Sequence, residues 1–110
     1  MSGNGFKEIV SLDRLIHEPA RLMIMTILYA VEEADFVYLQ RECGFTQGNL
    51  SSHLGKLEEA GYITISKSFK GKYPLTVCKA TRKGQAALQG YSEKIELVTK
   101  TLASHNSRWS

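Results

Sequence analysis

The side chains best suited to specific hydrogen bonding lie together in one segment, TQGNLSSHLGKLEEAGYI, which runs from Thr46 to Ile63. Within it, Leu50, Leu54 and Leu57 recur at helical spacing, which predicts a helix with one buried side. The other side and its borders carry short or polar residues: Gln47, Gly48, Asn49, Ser51, Ser52, His53 and Lys56. In a nucleic-acid groove, amides of this kind pair with adenine, hydroxyls pair with several bases, and lysine pairs with guanine or phosphate.

This polar side has two interpretations, a solvated surface or a surface that enters a groove. Solvated helix faces are usually rich in Glu, Lys and Ala because these residues stabilise helices. This face instead includes Gly48 and is free of acidic residues until Glu58. The pattern therefore favours a slim helix that approaches base edges, and Thr46, its predicted N-cap, belongs to the same predicted DNA-contacting set.

A basic β-hairpin is predicted after this helix. The segments YITISK and LTVCKA are rich in β-branched residues, and SFKGKYP between them supplies a turn. Its tip carries Lys67, Lys70, Lys72 and Tyr73, which suit contact with phosphates or a minor groove. The alternative is a lysine-rich edge that only prevents aggregation.

Two further cations, Arg82 and Lys83, lie in the predicted first turn of the last helix, with Thr81 as its cap. Positive charge at a helix N-terminus opposes the helix dipole by a few tenths of a kcal/mol per residue. A bound anion would reverse that penalty. We therefore expect this helix start to meet a phosphate.

No catalytic or metal-binding constellation is evident in the sequence. His17, His53 and His105 do not form a ligand cluster, and no nucleophile–base pair or zinc-type spacing occurs. Cys43 and Cys78 are far apart and are predicted to be reduced structural thiols, with a redox switch as the alternative. We therefore expect no enzymatic activity, no metal and no cofactor.

Charge is distributed unevenly along the chain, although the net charge is only +3. Residues 8–42 hold seven acidic and three basic residues, a balance of −4. Residues 62–84 hold six basic residues and no acid, a balance of +6. This asymmetry indicates one basic face and an anionic partner for it.

Length and hydropathy indicate one domain of 110 residues with a single core. The longest apolar run, Leu22 to Val31, is about half the length of a membrane span, so we expect a buried helix and no membrane partner. The N-terminus shows no signal-peptide pattern, which predicts a cytoplasmic protein.

The elements that position these residues follow from periodicity and capping. Helices are predicted at about Lys7–Ile16, Pro19–Ala34, Val37–Cys43 and Thr46–Ala60, followed by the hairpin and a last helix. Gly44 is the predicted C-cap between the two helices of a helix-turn-helix. In the hairpin, Ile63 and Ile65 share one face, whereas either Leu75 and Val77 or Cys78 and Ala80 face inward on the other strand.

The last helix carries an apolar seam of Leu88, Tyr91, Ile95, Val98 and Leu102. The steps of three and four resemble a short coiled-coil seam, narrower than the stripe of a core-facing helix. Packing within the monomer is one interpretation. We favour a dimer interface, because so small a domain has little chain left to cover a projecting helix.

The order of these elements resembles the MarR/ArsR-like winged helix-turn-helix transcriptional regulators, in particular their small single-domain branch. The resemblance rests on HEPARLMIMTIL, FTQGNLSSHLGKLEEAGYI and KATRKGQAAL. It implies a mainly α fold with a small β-hairpin over residues 1–110, dimerised through its terminal helices. The helix-turn-helix would occupy about 37–60, the wing about 62–80 and the C-terminal dimerisation helix about 81–104.

The implied function is transcriptional regulation by a homodimer bound to double-stranded DNA at a pseudo-palindromic operator. The second helix of the motif would enter the major groove, and the wing would contact the flanking backbone. A small-molecule effector between the helices of the dimer is compatible with this architecture. ArsR-like metal sensors carry paired cysteines in the first helix of the motif, whereas LQREC offers Cys43 alone. The alternatives are a winged-helix protein-interaction module without DNA affinity and a thiol-based redox sensor.

Overall fold

A computed structural model describes residues 6–105. This part contains five helices and three strands: α1 Phe6–Val10, α2 Pro19–Val31, β1 Glu33–Asp35, α3 Phe36–Cys43, α4 Gln47–Glu59, β2 Ile63–Lys70, β3 Tyr73–Ala80 and α5 Arg82–Ser104. The winged-helix order predicted from the sequence is confirmed. The predicted domain limits, 1 and 110, lie outside the described residues.

One apolar core lies between the helices and the sheet. Its fully enclosed side chains are Ile16, Ile24, Met25, Leu28, Leu39, Leu50, Leu57, Ile63 and Cys78. Burying a large aliphatic side chain contributes roughly 1.5–3 kcal/mol relative to leaving it exposed. Leu50, Leu54 and Leu57 all belong to this core, as their helical spacing predicts, so burial fixes the orientation of α4.

Helix α2 begins where predicted but ends three residues early. Pro19 occupies its first position, and the Glu18 carboxylate accepts hydrogen bonds from the backbone N–H groups of Ala20 at 3.1 Å and Arg21 at 3.0 Å. The helix stops at Val31 because Glu32 turns to a φ of +72°. The prediction that α2 continues to Ala34 is therefore wrong.

The sheet has three antiparallel strands in the order β1-β3-β2, rather than the hairpin alone. In the hairpin, Ile63 pairs with Ala80 and Ile65 with Cys78. Cys78 and Ala80 are buried, which settles the alternative left open by the sequence. Strand β1 adds pairing to the outer side of β3, and its three residues are too short to show the alternation that reveals a strand.

The N-terminal helix is shorter than the predicted Lys7–Ile16. One carboxylate oxygen of Asp13 accepts hydrogen bonds from the backbone N–H groups of Leu15 at 2.9 Å and Ile16 at 3.1 Å. Such local side-chain bonds offer the backbone an alternative to the helix. The other Asp13 oxygen accepts a hydrogen bond from the Tyr62 hydroxyl, which ties this turn to the base of the hairpin.

Helix α5 begins after Thr81, as predicted, and is 23 residues long. Its first half packs on the core: Leu88 and Tyr91 are buried in their own protomer, and Ile95 packs against them. For Leu88 and Tyr91 this burial agrees with the alternative of packing within the monomer, and the dimer interface stays a prediction. Val98 is half-buried and Leu102 is 67% exposed.

Candidate nucleic-acid interface

The turn between α3 and α4 is built by two local signals. Gly44 ends α3 in the left-handed conformation, with φ +72°, where other residues are strained. Thr46 then caps α4, because its hydroxyl accepts a hydrogen bond from the backbone N–H of Asn49 at 3.1 Å. The two helices of the motif are therefore held close together, and α4 begins at a fixed point.

The surface of α4 opposite its leucines is open to solvent. All predicted contact residues of this helix except one are exposed, as is the cap: Thr46, Gln47, Gly48, Asn49, Ser51, Ser52 and Lys56. At Gly48 and Gly55, no atom beyond the neighbouring residues and backbone of the helix itself lies within 4 Å of the position that a Cβ would occupy. The helix therefore presents hydrogen-bonding groups on a slim surface, hereafter the α4 face.

His53 differs from the other predicted contacts. Its ring is half-buried, packs against Phe45 with the ring centroids 6.0 Å apart, and accepts a hydrogen bond from Arg21 Nη1 at 3.3 Å. Its Nδ1 also lies 3.7 Å from a Glu18 carboxylate oxygen. The structure thus places His53 at the border between the α4 face and α2, and its assignment as a DNA contact stays a prediction.

The pKa of the Glu18 carboxyl group is lowered by its contacts at the junction of α4 with α2. Burial alone raises this pKa. Backbone hydrogen bonds from Arg21 and Ala20, together with the nearby His53 and Arg21 side chains, lower it by more, so the net shift is downward. Arg21 also donates from Nε to the Leu15 carbonyl at 2.6 Å. The junction therefore holds the middle of α4 against the start of α2.

The wing presents its predicted cations to solvent. Lys67, Lys70 and Lys72 are exposed, and Tyr73 is 78% exposed beside them. Gly71 makes the turn with φ +65°. Because residues 62–84 contain no acid, the wing has one sign of charge over its whole length.

The α4 face and the wing border one groove of about 880 Å³. From α4 it is lined by Gln47, Ser51 and Gly55, and from the wing by Ile65 and Lys67. Asp35 and Glu58 also line it, so the groove is mixed in charge although the surfaces on either side are basic or neutral. The structure thus brings the two predicted contact elements together on one surface.

The start of α5 is fixed to the base of the wing. The Thr81 hydroxyl donates to the Gly61 carbonyl at 2.6 Å and accepts from the Gly84 N–H at 3.0 Å. Arg82 and Lys83 lie in the first turn of α5, as the sequence predicts, and both are exposed. Lys83 Nζ also lies 5.8 Å from the centroid of the Tyr62 ring, so this cation already has an aromatic neighbour.

Neither thiol has the character of a reactive cysteine. Burial, then the charges of Glu58 and Asp35, raise the pKa of Cys78 to about 11. Burial and then Glu42 raise the pKa of Cys43. Since the thiolate is the reactive form, both shifts disfavour the thiol-sensor alternative.

Metal and membrane sites are not found in the part of the chain that the structure describes. Among residues 6–105, no group of three or more His, Cys, Asp and Glu side chains is placed to hold a metal ion. No helix in the same range combines the length and apolar character required to cross a bilayer.

Two residues of this surface were not singled out by sequence reasoning. Phe69 is 73% exposed near the wing tip and pairs across the hairpin with Pro74, which is also exposed. The signal was present, because the alternation that places Ile63 and Ile65 on one face also places Phe69 there. Ile63 and Ile65 on this face pack towards the core, but that packing does not explain why Phe69, farther along the same face, is an exposed aromatic residue.

Comparison with known proteins adds a family and several relatives. A model described as a winged helix DNA-binding domain matches residues 20–98. The uncharacterized protein MJ0432 of Methanocaldococcus jannaschii is 36% identical over 90 residues, which cover 81% of this chain and 97% of that protein. A transcriptional regulator homologue from Pyrococcus horikoshii OT3 superposes with a TM-score of 0.83 at 27% identity, covering 88% of this chain and 98% of that one. The transcriptional regulator Tm0710 from Thermotoga maritima shares the fold with a TM-score of 0.61 at 18% identity, over 90% of this chain and 72% of that one.

Proposed function

The chain belongs to the family of winged helix DNA-binding domains and is a MarR-like DNA-binding regulator, and from that premise we propose that it acts as a homodimer on a pseudo-palindromic operator. Family and fold are those of transcriptional regulators and not of enzymes.

In this proposal the α4 face enters the major groove, and the wing contacts the adjacent backbone. The two copies of α4 would lie about one helical turn, roughly 34 Å, apart. The predicted cytoplasmic location agrees with a DNA partner and stays a prediction.

The observation that carries the proposal is the pairing of a slim polar helix face with a wholly basic wing across one groove. An α-helix fits the major groove of B-DNA, where amide and hydroxyl side chains read base edges. Lysines on the wing would neutralise phosphates, which fix register but carry no sequence information. The charge balance of +6 over residues 62–84 supports this division.

The division of labour is tested with Asn49→Ala and Lys72→Ala. After selection of a preferred duplex from a random pool, binding to that duplex and to random DNA is measured at two salt concentrations. Asn49→Ala should lose about 1–3 kcal/mol on the selected site only. Lys72→Ala should weaken both duplexes alike and reduce the slope of log K against log salt by about 0.9.

Lys100→Ala is the matched control for Lys72→Ala. Lys100 is exposed near the far end of α5 and pairs with Glu96 at 2.8 Å, so its loss removes the same charge away from the proposed interface. It should leave both binding and salt slope close to wild type. Identical effects of Asn49→Ala and Lys72→Ala on the two duplexes would contradict the assigned roles.

The competing function is a winged helix that binds proteins and has no DNA affinity. Such a module is expected to show acidic or large apolar residues on the second helix of the motif. The α4 face carries neither among residues 47–56. Failure of the wild-type protein to shift any duplex at low salt would favour the interaction module.

The proposed dimer uses apolar side chains that the protomer leaves uncovered on its terminal helices. Helix α1 packs against α5, and Ile9, Val10, Leu97 and Leu102 are all exposed. Leu102→Glu should therefore shift the protein from dimer to monomer by light scattering after size exclusion. Ala86→Glu, exposed near the other end of α5, is the matched charge control and should remain dimeric.

A cavity between α2 and α5 is the proposed place for a small-molecule effector. It measures about 300 Å³, within the range of ligand pockets, and mixes apolar with hydroxyl and amide groups: Leu22, Thr26, Tyr29, Leu88, Gln89, Tyr91, Ser92 and Ile95. A structural neighbour of the same fold, NadR, was solved in complex with 4-hydroxyphenylacetate. Thermal-shift assays with that compound, on wild type and Gln89→Leu, test whether the cavity accepts a phenolic acid.

A further inference from the structure

The wing tip carries an apolar pair that the proposed function does not use. Phe69 and Pro74 stand directly opposite each other on β2 and β3, and directly opposed residues of an antiparallel pair share one face. Phe69 is 73% exposed and Pro74 is exposed as well. We propose that this pair is a wedge that enters the DNA minor groove beside the α4 contact and partly unstacks a base step.

The position of the pair connects it with the proposed DNA surface. Strand alternation puts Phe69 on the face of β2 that carries Ile65 and Lys67. Those two residues line the groove together with Gln47 and Ser51 of α4. The wedge therefore lies at the outer end of the same face that borders the α4 face, beyond the part of the strand that the core covers.

The chemistry of the tip selects DNA as the occupant. Lys67 lies on the same face as the pair, Lys70 on the opposite face beside it and Lys72 in the turn, and no acid occurs between residues 62 and 84. A polyanion thus complements the rim, and an unstacked base step accepts the apolar centre. Phe and Pro are among the side chains that minor-groove proteins insert between base steps, which kinks the duplex.

Tyr73 provides an internal contrast. It pairs with Lys70 and so lies on the opposite face of the hairpin from Phe69. Both rings are exposed to a similar degree, 78% for Tyr73 and 73% for Phe69. We therefore expect Phe69, and not Tyr73, to bend the DNA.

The inference rests on the proposed function and is tested with Phe69→Ser and Tyr73→Ser. Each removes one exposed ring without a change in charge. Energy transfer between dyes at the ends of the selected duplex reports its bend, and titration reports affinity. Wild type should bend the duplex by on the order of 20° or more. Phe69→Ser should reduce that bend and weaken binding roughly tenfold with the salt slope unchanged, whereas Tyr73→Ser should keep the bend.

Sequence dependence gives a second readout. Pyrimidine–purine steps unstack more readily than A-tracts, so the wedge should favour a TA or CA step at the flank reached by the wing. Replacing that step with an A-tract should weaken wild type and leave Phe69→Ser unaffected. Lys67→Ala should lower the slope of log K against log salt and keep the preference for the TA or CA step.

Three outcomes overturn the inference in different ways. Sequence-selective binding with the same bend in wild type and Phe69→Ser removes the wedge and leaves the proposed function standing. No duplex binding by wild type removes both. Sedimentation of wild type but not of Phe69→Ser with phosphatidylglycerol vesicles, together with equal DNA bending by both proteins, would assign the tip to a lipid surface instead.

Discussion

Helices α4 and α5 both contain glycines, but the surroundings of these glycines differ. Around Gly48 and Gly55 of α4 the structure leaves open space, since no atom from outside the adjoining part of the helix lies within 4 Å of an added Cβ. At Gly84 of α5 an added Cβ would lie 2.1 Å from the Tyr62 carbonyl oxygen and 3.0 Å from Met25 Cε. One glycine is required by the fold, whereas the other two are not.

A destabilising glycine can be required by the packing of the domain itself or by the approach of a partner. A glycine inside a helix lowers stability by about 0.5–1 kcal/mol relative to alanine. At Gly84 the close approach of α5 to the base of the wing explains that cost. At Gly48 and Gly55 the domain itself offers no such neighbour, and we attribute these two glycines to the proposed approach of DNA.

The largest effect is expected from Gly84→Ala. Its methyl group would overlap a backbone oxygen, which cannot rotate away, so we expect a loss of about 3 kcal/mol or more in the free energy of unfolding. Urea denaturation measures it. Gly90→Ala in the same helix is the control: its Cβ meets nothing within 4 Å, and it should gain about 0.5–1 kcal/mol. Equal effects of the two substitutions would refute the close-approach argument.

The next largest effect is expected from loss of the N-cap of α5, which should cost more stability than loss of the N-cap of α4. Thr81→Ala removes an N-cap and leaves the Gly61 carbonyl without its 2.6 Å partner, so we expect a loss of about 1–2 kcal/mol. Thr46→Ala removes only an exposed cap and should cost about 1 kcal/mol or less. Thr81→Ser should restore most of the loss in the same denaturation assay. A larger loss for Thr46→Ala would reverse the ranking of the two junctions.

The base of the wing, on which the start of α5 rests, should also lose stability at alkaline pH. Burial, followed by the hydrogen bond and charge of Asp13, raises the pKa of Tyr62 from 10.0 to about 12. A raised pKa in the folded state means that the stabilisation is complete below pH 10 and disappears as the pH rises towards 12. Tyr62→Phe should lose about 1 kcal/mol at pH 8 and less at pH 11.5, by thermal unfolding at both pH values. Tyr73→Phe, which changes an exposed phenol, should show no such difference.

Opposite signs are expected for stability and binding at Gly48. Gly48→Ala should raise the free energy of unfolding by about 0.5–1 kcal/mol, because it removes only the entropic cost of glycine. The same methyl group should weaken binding to the selected duplex. Gly90→Ala, with a similar gain in stability, should bind DNA normally. If Gly48→Ala neither stabilises the fold nor weakens binding, the close-approach explanation fails at that position.

The smallest change in stability is expected at Arg82 and Lys83. Their joint replacement by alanine removes charge that opposes the helix dipole, but it also removes the contact of Lys83 with Tyr62, so the net change should be a few tenths of a kcal/mol. Binding is more informative, because each lost phosphate contact should reduce the salt slope by about 0.9. An unchanged slope in a salt titration would show that this helix start meets no phosphate.

The sequence predicts the helix-turn-helix well because its signals are local. The leucine spacing of α4, the Thr46 and Thr81 caps and Gly44 each act within a few residues. Strand β1 and the early end of α2 were missed because three residues paired to a distant strand leave no periodic trace. The same reason applies to the contact of His53 with Arg21, which joins residues 32 positions apart and leaves no local pattern in the sequence.

The hydrogen bond from Thr81 to Gly61 has a mechanical consequence for a two-fold assembly. Gly61 lies two residues after the last residue of α4, so this hydrogen bond ties the start of α5 to the end of the reading helix at one corner. In the proposed dimer, the angle at which the two α5 helices cross would therefore determine the distance between the two reading helices, and so the separation of the half-sites that the dimer can bind. A few degrees of rotation at the far end of α5, 23 residues long, would be passed through this corner to α4 and bring the two reading helices into or out of step with the DNA repeat.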